Sequence, residues 1–551
     1  MLKLLPLLLA LLALPASAEP PQPAATDRES ALAPLAADGL AAALDTLLDT
    51  HDTARRTNVT LVVRDLETGE TLYDRGGDKL LTPASNLKIY TAAAAIDLLG
   101  PEYTWTTGLS LSMNNYVPGQ PQRPNPLLVV SGDPMLDVEQ LGRLVDAFIE
   151  KRGELAPLAD VRVDSNHAWR GLPLKGPGWM WDDDPDYYNM SITQAMLNFN
   201  VTGVTVTPDG PRIDLDQLDV FDERFRDATL GFAFDALGDP KQFDRARVEF
   251  DPPARIPGVP AWDSASRQPF GVVHPGVDGG LSVTRLPFDE DLTIDGNMRP
   301  DAEPVTAELT VHDPNRWVAA VVADLFEARG QAVELAMTKD QSFVPFFGRR
   351  DANSPDTTVV KQRGKPLSEA VQHFLRVSEN AVGEMLLLQL AETFSKDDDG
   401  EPQVSWPAGA KVISDWLVNE AGVEEGSFRL VDGSGLSRYN LISANSSIQL
   451  LDHMDDHEHF DVFFGGLPVY KVDLPEADAW NDTPLAEFDD ERVFAKPGGM
   501  SGVNTISGYL DTLDGRRLAF SLLANGYIGG SAPVRDLRGQ VWATLVRYRA
   551  E

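Results

Sequence analysis

Hydrophobic positions recur along this chain at two different periods, and the switches between them mark out its parts. Leu40, Leu44, Leu47 and Leu48 stand three and four apart, which predicts a helix over residues 38–50 with one buried face. Strand character follows over 58–64, and with the turn at Thr68-Gly69 and residues 71–73 it reads as a β-hairpin. Residues 91–99 are apolar around the whole helical circumference, the pattern of an interior helix, and Gly100-Pro101 stops it. Between about 106 and 354 the texture changes to short strand-like pieces such as 127–130 and 201–206, many prolines and long polar connections. That stretch is expected to form two mostly β inserted domains. Helical periodicity returns after 355. A helix opens at 366–370 and runs toward Leu375, a second over 379–393 buries Val382, Met385, Leu386, Leu387 and Leu390, and a third spans 407–419 with proline in its first turn. Three strand candidates follow at 492–497, 505–513 and 517–524, the last two joined by the hairpin signal Asp514-Gly515. A helix with Val534, Leu537, Val541, Trp542 and Leu545 on one side closes the chain.

The expected fold is therefore α/β (α+β), an antiparallel sheet covered by helices. Residues 38–105 and 355–551 are its two halves and 106–354 the interruption. A distinct N-terminal sequence pattern precedes them. Met1-Leu2-Lys3, a leucine-rich core through Leu14 and Ala16-Ser17-Ala18 have the three parts of a secretory signal peptide, with cleavage expected after Ala18 and a Pro/Ala-rich flexible leader over 19–37. No later run approaches the length of a membrane span, so the mature protein is expected to be soluble in the periplasm. The chain has no cysteine, which removes disulfides, thiolate metal sites and a lipid-carrying cysteine. Acidic residues outnumber Lys and Arg by 84 to 47, a formal charge of −37, which argues against a nucleic-acid partner.

The candidate chemistry begins at the mouth of the interior helix. Ser85 and Lys88 are three apart and share a helix face, so an amine can reach a hydroxyl, as a serine nucleophile with a lysine base requires. For Lys88 to take a proton at neutral pH its pKa must fall by roughly three units, a bias of about 4 kcal/mol supplied by burial and neighbouring cations. Ser378 and Asn380, two apart, point to one side if the loop before the second helix is extended. They could then pass a proton to a leaving amine and orient the lysine. Lys496-Pro497-Gly498-Gly499 ends a strand with a cation and two residues lacking side chains, an edge where a substrate backbone can pair and its carboxylate be held.

Together and in this order the three elements resemble the S-x-x-K, S-x-N and K-T-G motifs of penicillin-binding proteins. The 293 positions from Ser85 to Ser378 are too many for a compact β-lactamase. They resemble the penicillin-binding protein 4 family of D-alanyl-D-alanine carboxypeptidases and endopeptidases (serine peptidase family S13), in which extra domains interrupt a transpeptidase-like one. Residues 131–134, 198–200, 432–438, 467–469 and 501–509 are similar to that family too. The resemblance implies Ser85 as acylated nucleophile, Lys88 as its base, Ser378, Asn380 and Lys496 as the proton network, and Gly498 and Gly499 as substrate-binding. The oxyanion hole would be the N–H groups of Ser85 and Gly499. The implied partners are peptidoglycan stem peptides as substrate and β-lactams as covalent inhibitors, with no metal or organic cofactor.

The chain departs from the family pattern in one place. Pro497 and Gly499 stand where two hydroxyl side chains would hold a terminal carboxylate. The resemblance thus leaves open a D,D-peptidase that favours internal cross-links and a catalytically weakened wall-binding protein. A different reading of the residues would be a metal-dependent hydrolase built on His453, His457 and His459. The acidic runs at 182–184 and 397–399 lack calcium-loop spacing, and Ser434 lacks the glycine two positions before it that a nucleophile elbow needs.

Overall fold

The leucine face of the first helix, α1 (Ala37–Thr50), is buried at Leu40, Leu44 and Leu48. Each such leucine contributes on the order of 1.5–3 kcal/mol of burial. The structure is a computed structural model describing most of residues 34–112, 124–214, 281–333, 360–472 and 491–550, with three two-residue strands between 248 and 273. The signal-peptide pattern and most of the leader lie outside the described residues. After α1 come the antiparallel pair β1 (Asn58–Asp65) and β2 (Thr71–Arg75). A single 3-10 turn, Ala84–Leu87, then leads into the interior helix α2 (Lys88–Leu99), in which every residue from Lys88 to Ile96 is buried. Ser85 therefore sits in the 3-10 turn and not, as expected, in the first turn of the α-helix.

The interrupting stretch leaves through β3 (Thr104–Ser112) and continues as β4 (Asn125–Val129), α3 (Val138–Arg152), β5 (Arg162–Asp164), β6 (Val201–Thr207) and β7 (Gly210–Asp214). It goes on through β8 (Leu281–Arg285), β9 (Leu292–Met298), β10 (Val305–Thr310) and α4 (Pro314–Glu327) to β11 (Val360–Pro366). The outgoing β3 and returning β11 pair antiparallel in a sheet of order β11-β3-β4-β5, while β10-β6-β7 form another. Two long helices here were not expected from the strand-like texture. In α3, Leu141, Leu144, Val145 and Phe148 do keep a helical period, but charges between them mask it. In α4 the start is written by Asp313, whose carboxylate accepts from the Arg316 N–H, and by Pro314 in the first turn. Their apolar faces share one core, with Phe148 meeting Phe326 edge to face.

The second half supplies α5 (Leu367–Val377), α6 (Asn380–Phe394), α7 (Trp406–Asn419), α8 (Ala444–Asp455) and α9 (Phe460–Phe464). Strands β12 (Val469–Lys471), β13 (Glu491–Met500), β14 (Val503–Asp511) and β15 (Arg517–Asn525) and the closing α10 (Ala532–Leu545) follow. One antiparallel sheet of order β12-β13-β14-β15-β1-β2 unites both halves of the chain. On one face α1 and α10 bury Leu44, Leu537 and Trp542 against Leu61, Leu510 and Phe520. The other face carries Tyr509, Ala519 and Leu523 against the core made by α2, α5, α6 and α7. Strand β13 runs three residues beyond its predicted end at Pro497. Its partner β12 pairs only with Glu491 to Phe494, so the outer side of Lys496–Met500 carries no strand among the described residues.

Candidate active site

The turn carrying Ser85 is clamped to β13 and β14 by side chains rather than by helix geometry. Asn86, fully buried, donates from Nδ2 to the Lys496 carbonyl at 2.7 Å and accepts from Ser507 Oγ at 3.0 Å. Thr505 Oγ1 donates to the Pro83 carbonyl at 2.5 Å. The approach is close enough that a Cβ on Gly498 would lie 2.3 Å from the Pro83 oxygen, so no larger residue fits there. Ala84, next to the candidate nucleophile, has φ of +49°, and Ser378 has φ of +68°. Such conformations cost on the order of 1–3 kcal/mol each and persist only where the surroundings impose them.

Lys88 is fully buried, and its Nζ contacts three oxygens: Ser85 Oγ at 3.0 Å, Asn380 Oδ1 at 2.6 Å and the Ser434 carbonyl at 2.7 Å. Two of these are acceptors with no proton to give. A neutral amine meets all three, donating its two N–H bonds to Asn380 and Ser434 and turning its lone pair to the Ser85 hydroxyl. Burial pulls the Lys88 amine down to about 8, against the opposing pull of Asp432, Glu379 and Glu384. The amide of Asn380 is oriented from behind, because its Nδ2 donates to the Tyr188 carbonyl at 2.9 Å. Across the groove, buried Lys496 donates to Ser378 Oγ at 3.0 Å and to the Pro497 carbonyl at 3.1 Å. Its pKa is lowered well below the ordinary range by burial and by the charge of Lys88. Half-buried Ser85 leaves this arrangement open to solvent.

All five candidate catalytic residues thus belong to one cluster, but not by the local geometry expected for Ser378 and Asn380. Ser378 caps the end of α5 in a left-handed conformation and Asn380 opens α6, so the link between them is a helix-to-helix corner and not an extended strand. Gly499 lies on the open side of β13, where a Cβ would meet nothing within 4 Å.

Several participants were not assigned from the sequence. The loop 432–438 supplies the Ser434 carbonyl and is held by Asp432. That carboxylate accepts from Gly435 N (2.8 Å), Ser437 N (2.6 Å), Asn440 Nδ2 (2.7 Å) and Trp179 Nε1 (3.0 Å). The loop threads between α6 and the Ser85 turn because it has glycines there. A Cβ on Gly433 would lie 2.1 Å from the Gly383 carbonyl oxygen, and one on Gly435, at φ of +87°, 2.0 Å from that of Ala84. Trp179 and the Tyr188 carbonyl both come from the interrupting stretch, so that stretch completes the site. The available signal was Asp-Gly-Ser-Gly itself, together with Glu384, a carboxylate set between Val382-Gly383 and Met385-Leu386 in the buried part of its helix.

The histidine cluster does not make a metal site. His457 Nε2 faces Asp97 Oδ1 at 3.0 Å and its Nδ1 accepts from the His459 backbone N–H at 3.1 Å, so both ring nitrogens are taken. Among the described residues no group of three or more His, Asp or Glu side chains is arranged to hold a metal ion.

The sequence profile of the D-Ala-D-Ala carboxypeptidase 3 (S13) family matches residues 40–223 and 282–545. A D-alanyl-D-alanine carboxypeptidase of Actinomadura sp. is 28% identical over 487 residues, covering 86% of this chain and 78% of that protein. The D-alanyl-D-alanine carboxypeptidase DacB of Haemophilus influenzae is 22% identical over 519 residues, covering 89% and 91%. The crystal structure of penicillin binding protein 4 from Haemophilus influenzae superposes with a TM-score of 0.64 at 19% identity, over 92% of this chain and 99% of that one. That likeness shows the fold, a penicillin-binding, transpeptidase-like one. A second structure of the Haemophilus protein, complexed with a β-lactam, matches with a TM-score of 0.60 at 18% identity, over 92% of this chain and 99% of that one.

Proposed function

The chain belongs to the D-Ala-D-Ala carboxypeptidase 3 (S13) family, and from that premise we propose that it is a periplasmic serine D,D-peptidase acting on peptidoglycan stem peptides through an acyl-enzyme on Ser85. The observation that carries this reading is the fully buried Lys88 amine, 3.0 Å from the Ser85 hydroxyl, with its two remaining hydrogen-bonding directions taken by pure acceptors. In the reaction, Lys88 removes the Ser85 proton as Oγ attacks the carbonyl carbon between two D-residues. The N–H groups of Ser85 and Gly499 stabilise the oxyanion, and losing one such donor typically costs about 3–4 kcal/mol in the barrier. Lys88 and the Ser378 hydroxyl, polarised by Lys496, return the proton to the leaving amine. Water then hydrolyses the ester with the same groups in reverse. β-Lactams acylate Ser85 by the same attack and are retained. The periplasmic location rests on the signal-peptide pattern. Among the described residues no helix is long and apolar enough to cross a membrane.

The balance of the two D,D-activities follows from Pro497 and Gly499. Without either hydroxyl a free terminal carboxylate has weaker anchorage, while a cross-linked peptide continues past that position and offers further groups to bind. We assign a preference for internal cross-links over D-Ala-D-Ala ends. Intact-protein mass spectrometry after penicillin exposure tests the acyl-enzyme. One adduct is expected on the parent and none on Ser85→Ala, whereas a catalytically silent wall-binding protein gives none on either. Hydrolysis of a D-Ala-D-Ala pentapeptide against a cross-linked dimer muropeptide tests the preference, and faster cleavage of the pentapeptide would count against it.

A further inference from the structure

One buried carboxyl group lies one step behind the lysine amine. Glu384, on α6 four residues after Asn380, is fully buried in a helix whose neighbours are apolar. Its Oε1 accepts from the backbone N–H groups of Ser434 (2.8 Å) and Gly433 (3.2 Å), and its Oε2 from Trp406 Nε1 at 2.6 Å. All three partners are donors, a shell that suits a carboxylate and gives a carboxylic acid proton no acceptor. The peptide unit whose N–H Glu384 grips is joined through Ser434 to the carbonyl that receives Lys88 Nζ. The close glycine contact between Gly383 and Gly433 is what brings the carboxylate within reach of the loop.

We propose that Glu384 is the positioning residue of the general base: it pins the Ser434 carbonyl onto the Lys88 amine and supplies the buried negative charge against which that amine titrates. The inference rests on the reading of Lys88 as base. Burial and Asp432 push the Glu384 carboxyl up, and the Trp406, Gly433 and Ser434 donors oppose them. The charged groups acting on Lys88 are Asp432, Glu379 and Glu384, and it in turn acts on Lys496. Burial alone would leave the amine a weak base that seldom holds a proton. An adjacent anion restores basicity, and fastening the loop keeps the lone pair aimed at Ser85.

The test is the pH dependence of acylation by a fluorescent penicillin, followed as a second-order rate constant from pH 5.5 to 9.5 on the whole protein. In Glu384→Gln the new amide would face the Trp406 N–H, so the main variant is Glu384→Gln/Trp406→Phe, which keeps the amide oxygen on Gly433 and Ser434 and removes the opposed donor. Removing the anion lowers the Lys88 pKa. The acid limb is expected to move toward lower pH by at least about half a unit, with a plateau reduced about tenfold or more by the looser aim. A merely structural role would lower the rate equally at every pH. Trp406→Phe alone strips one donor from the carboxylate, favours its protonation, and is expected to move the limb the same way by less. An unmoved limb in the folded double variant overturns the proposal, and if that variant does not fold, an unmoved limb in Trp406→Phe does so. Ser85→Ala and Lys88→Ala run alongside: acylation surviving in them refutes the catalytic reading itself, a different outcome from an unmoved limb.

Discussion

Replacing Gly435 by alanine adds a single methyl group against the Ala84 peptide and Leu87, and the consequences can be followed atom by atom. The new Cβ would stand 2.0 Å from the Ala84 carbonyl oxygen, 2.7 Å from its carbon and 3.0 Å from Leu87 Cβ. Relief requires the loop and the Ser85 turn to separate by about 1 Å or more before ordinary contact is restored. The residue also has φ of +87°, a region that costs a side chain about 1–2 kcal/mol. Because the Ser434 carbonyl precedes Gly435 and lies 2.7 Å from Lys88 Nζ, a 1 Å displacement stretches that hydrogen bond past the useful limit. Misplacement on this scale costs about a hundredfold in rate, and strain with collision together are expected to cost about 2–4 kcal/mol of stability. The assay is the acylation rate with fluorescent penicillin beside a thermal melt. Gly422→Ala serves as control, since Gly422 has φ of +67° but a Cβ there would meet nothing within 4 Å. It should lose about 1 kcal/mol with acylation unchanged. A Gly435→Ala protein that acylates within twofold of the parent would refute the claim that loop 432–438 sets the base.

Three further outcomes are expected. Acylation should rise about tenfold per pH unit up to about 8 and then level, because the Lys88 amine, held down to about 8 by burial, is the form that accepts the proton and is lost as pH falls. A stopped-flow profile flat from pH 6 to 9 would contradict this. Asn86→Ala removes the side-chain donor from the buried Lys496 carbonyl and leaves the Ser507 hydroxyl only Ser521 Oγ at 2.8 Å, an expected loss of about 1–3 kcal/mol. Urea unfolding reads that loss, and acylation should fall with it as the Ser85 turn parts from β13. Gly499→Ser introduces a hydroxyl where a Cβ meets no atom within 4 Å, so it should fold as the parent does and raise pentapeptide hydrolysis severalfold relative to cross-link cleavage. An unchanged ratio would dissociate that position from carboxylate recognition.

The local chemistry was legible in the sequence wherever a repeat distance determines who faces whom. Ser85 and Lys88 share a face in a 3-10 turn as they would in an α-helix, so the contact survives the misjudged boundary. The helix faces of α1 and α10 read correctly because one side of each had to be apolar to cover the sheet. By contrast, α3 and α4 were hidden by the prolines and polar connections around them. The corner at Ser378 was misread because a left-handed serine between two helices has no signature in the residues themselves.

What the chain's order of residues determined by itself was an inventory: a hydroxyl and an amine in one turn, a cation on a strand, an acidic-glycine loop, and apolar stripes that require a layered core. Only the tertiary structure decided that Lys496 reaches Ser378, that Asn380 is aimed by Tyr188, and that Glu384 and Asp432 hold the loop carbonyl against Lys88. The physical reason is that a lysine's proton affinity depends on burial and on charges within a few ångströms. Those neighbours come from segments hundreds of positions apart, brought together by a sheet whose strands belong to both ends of the chain.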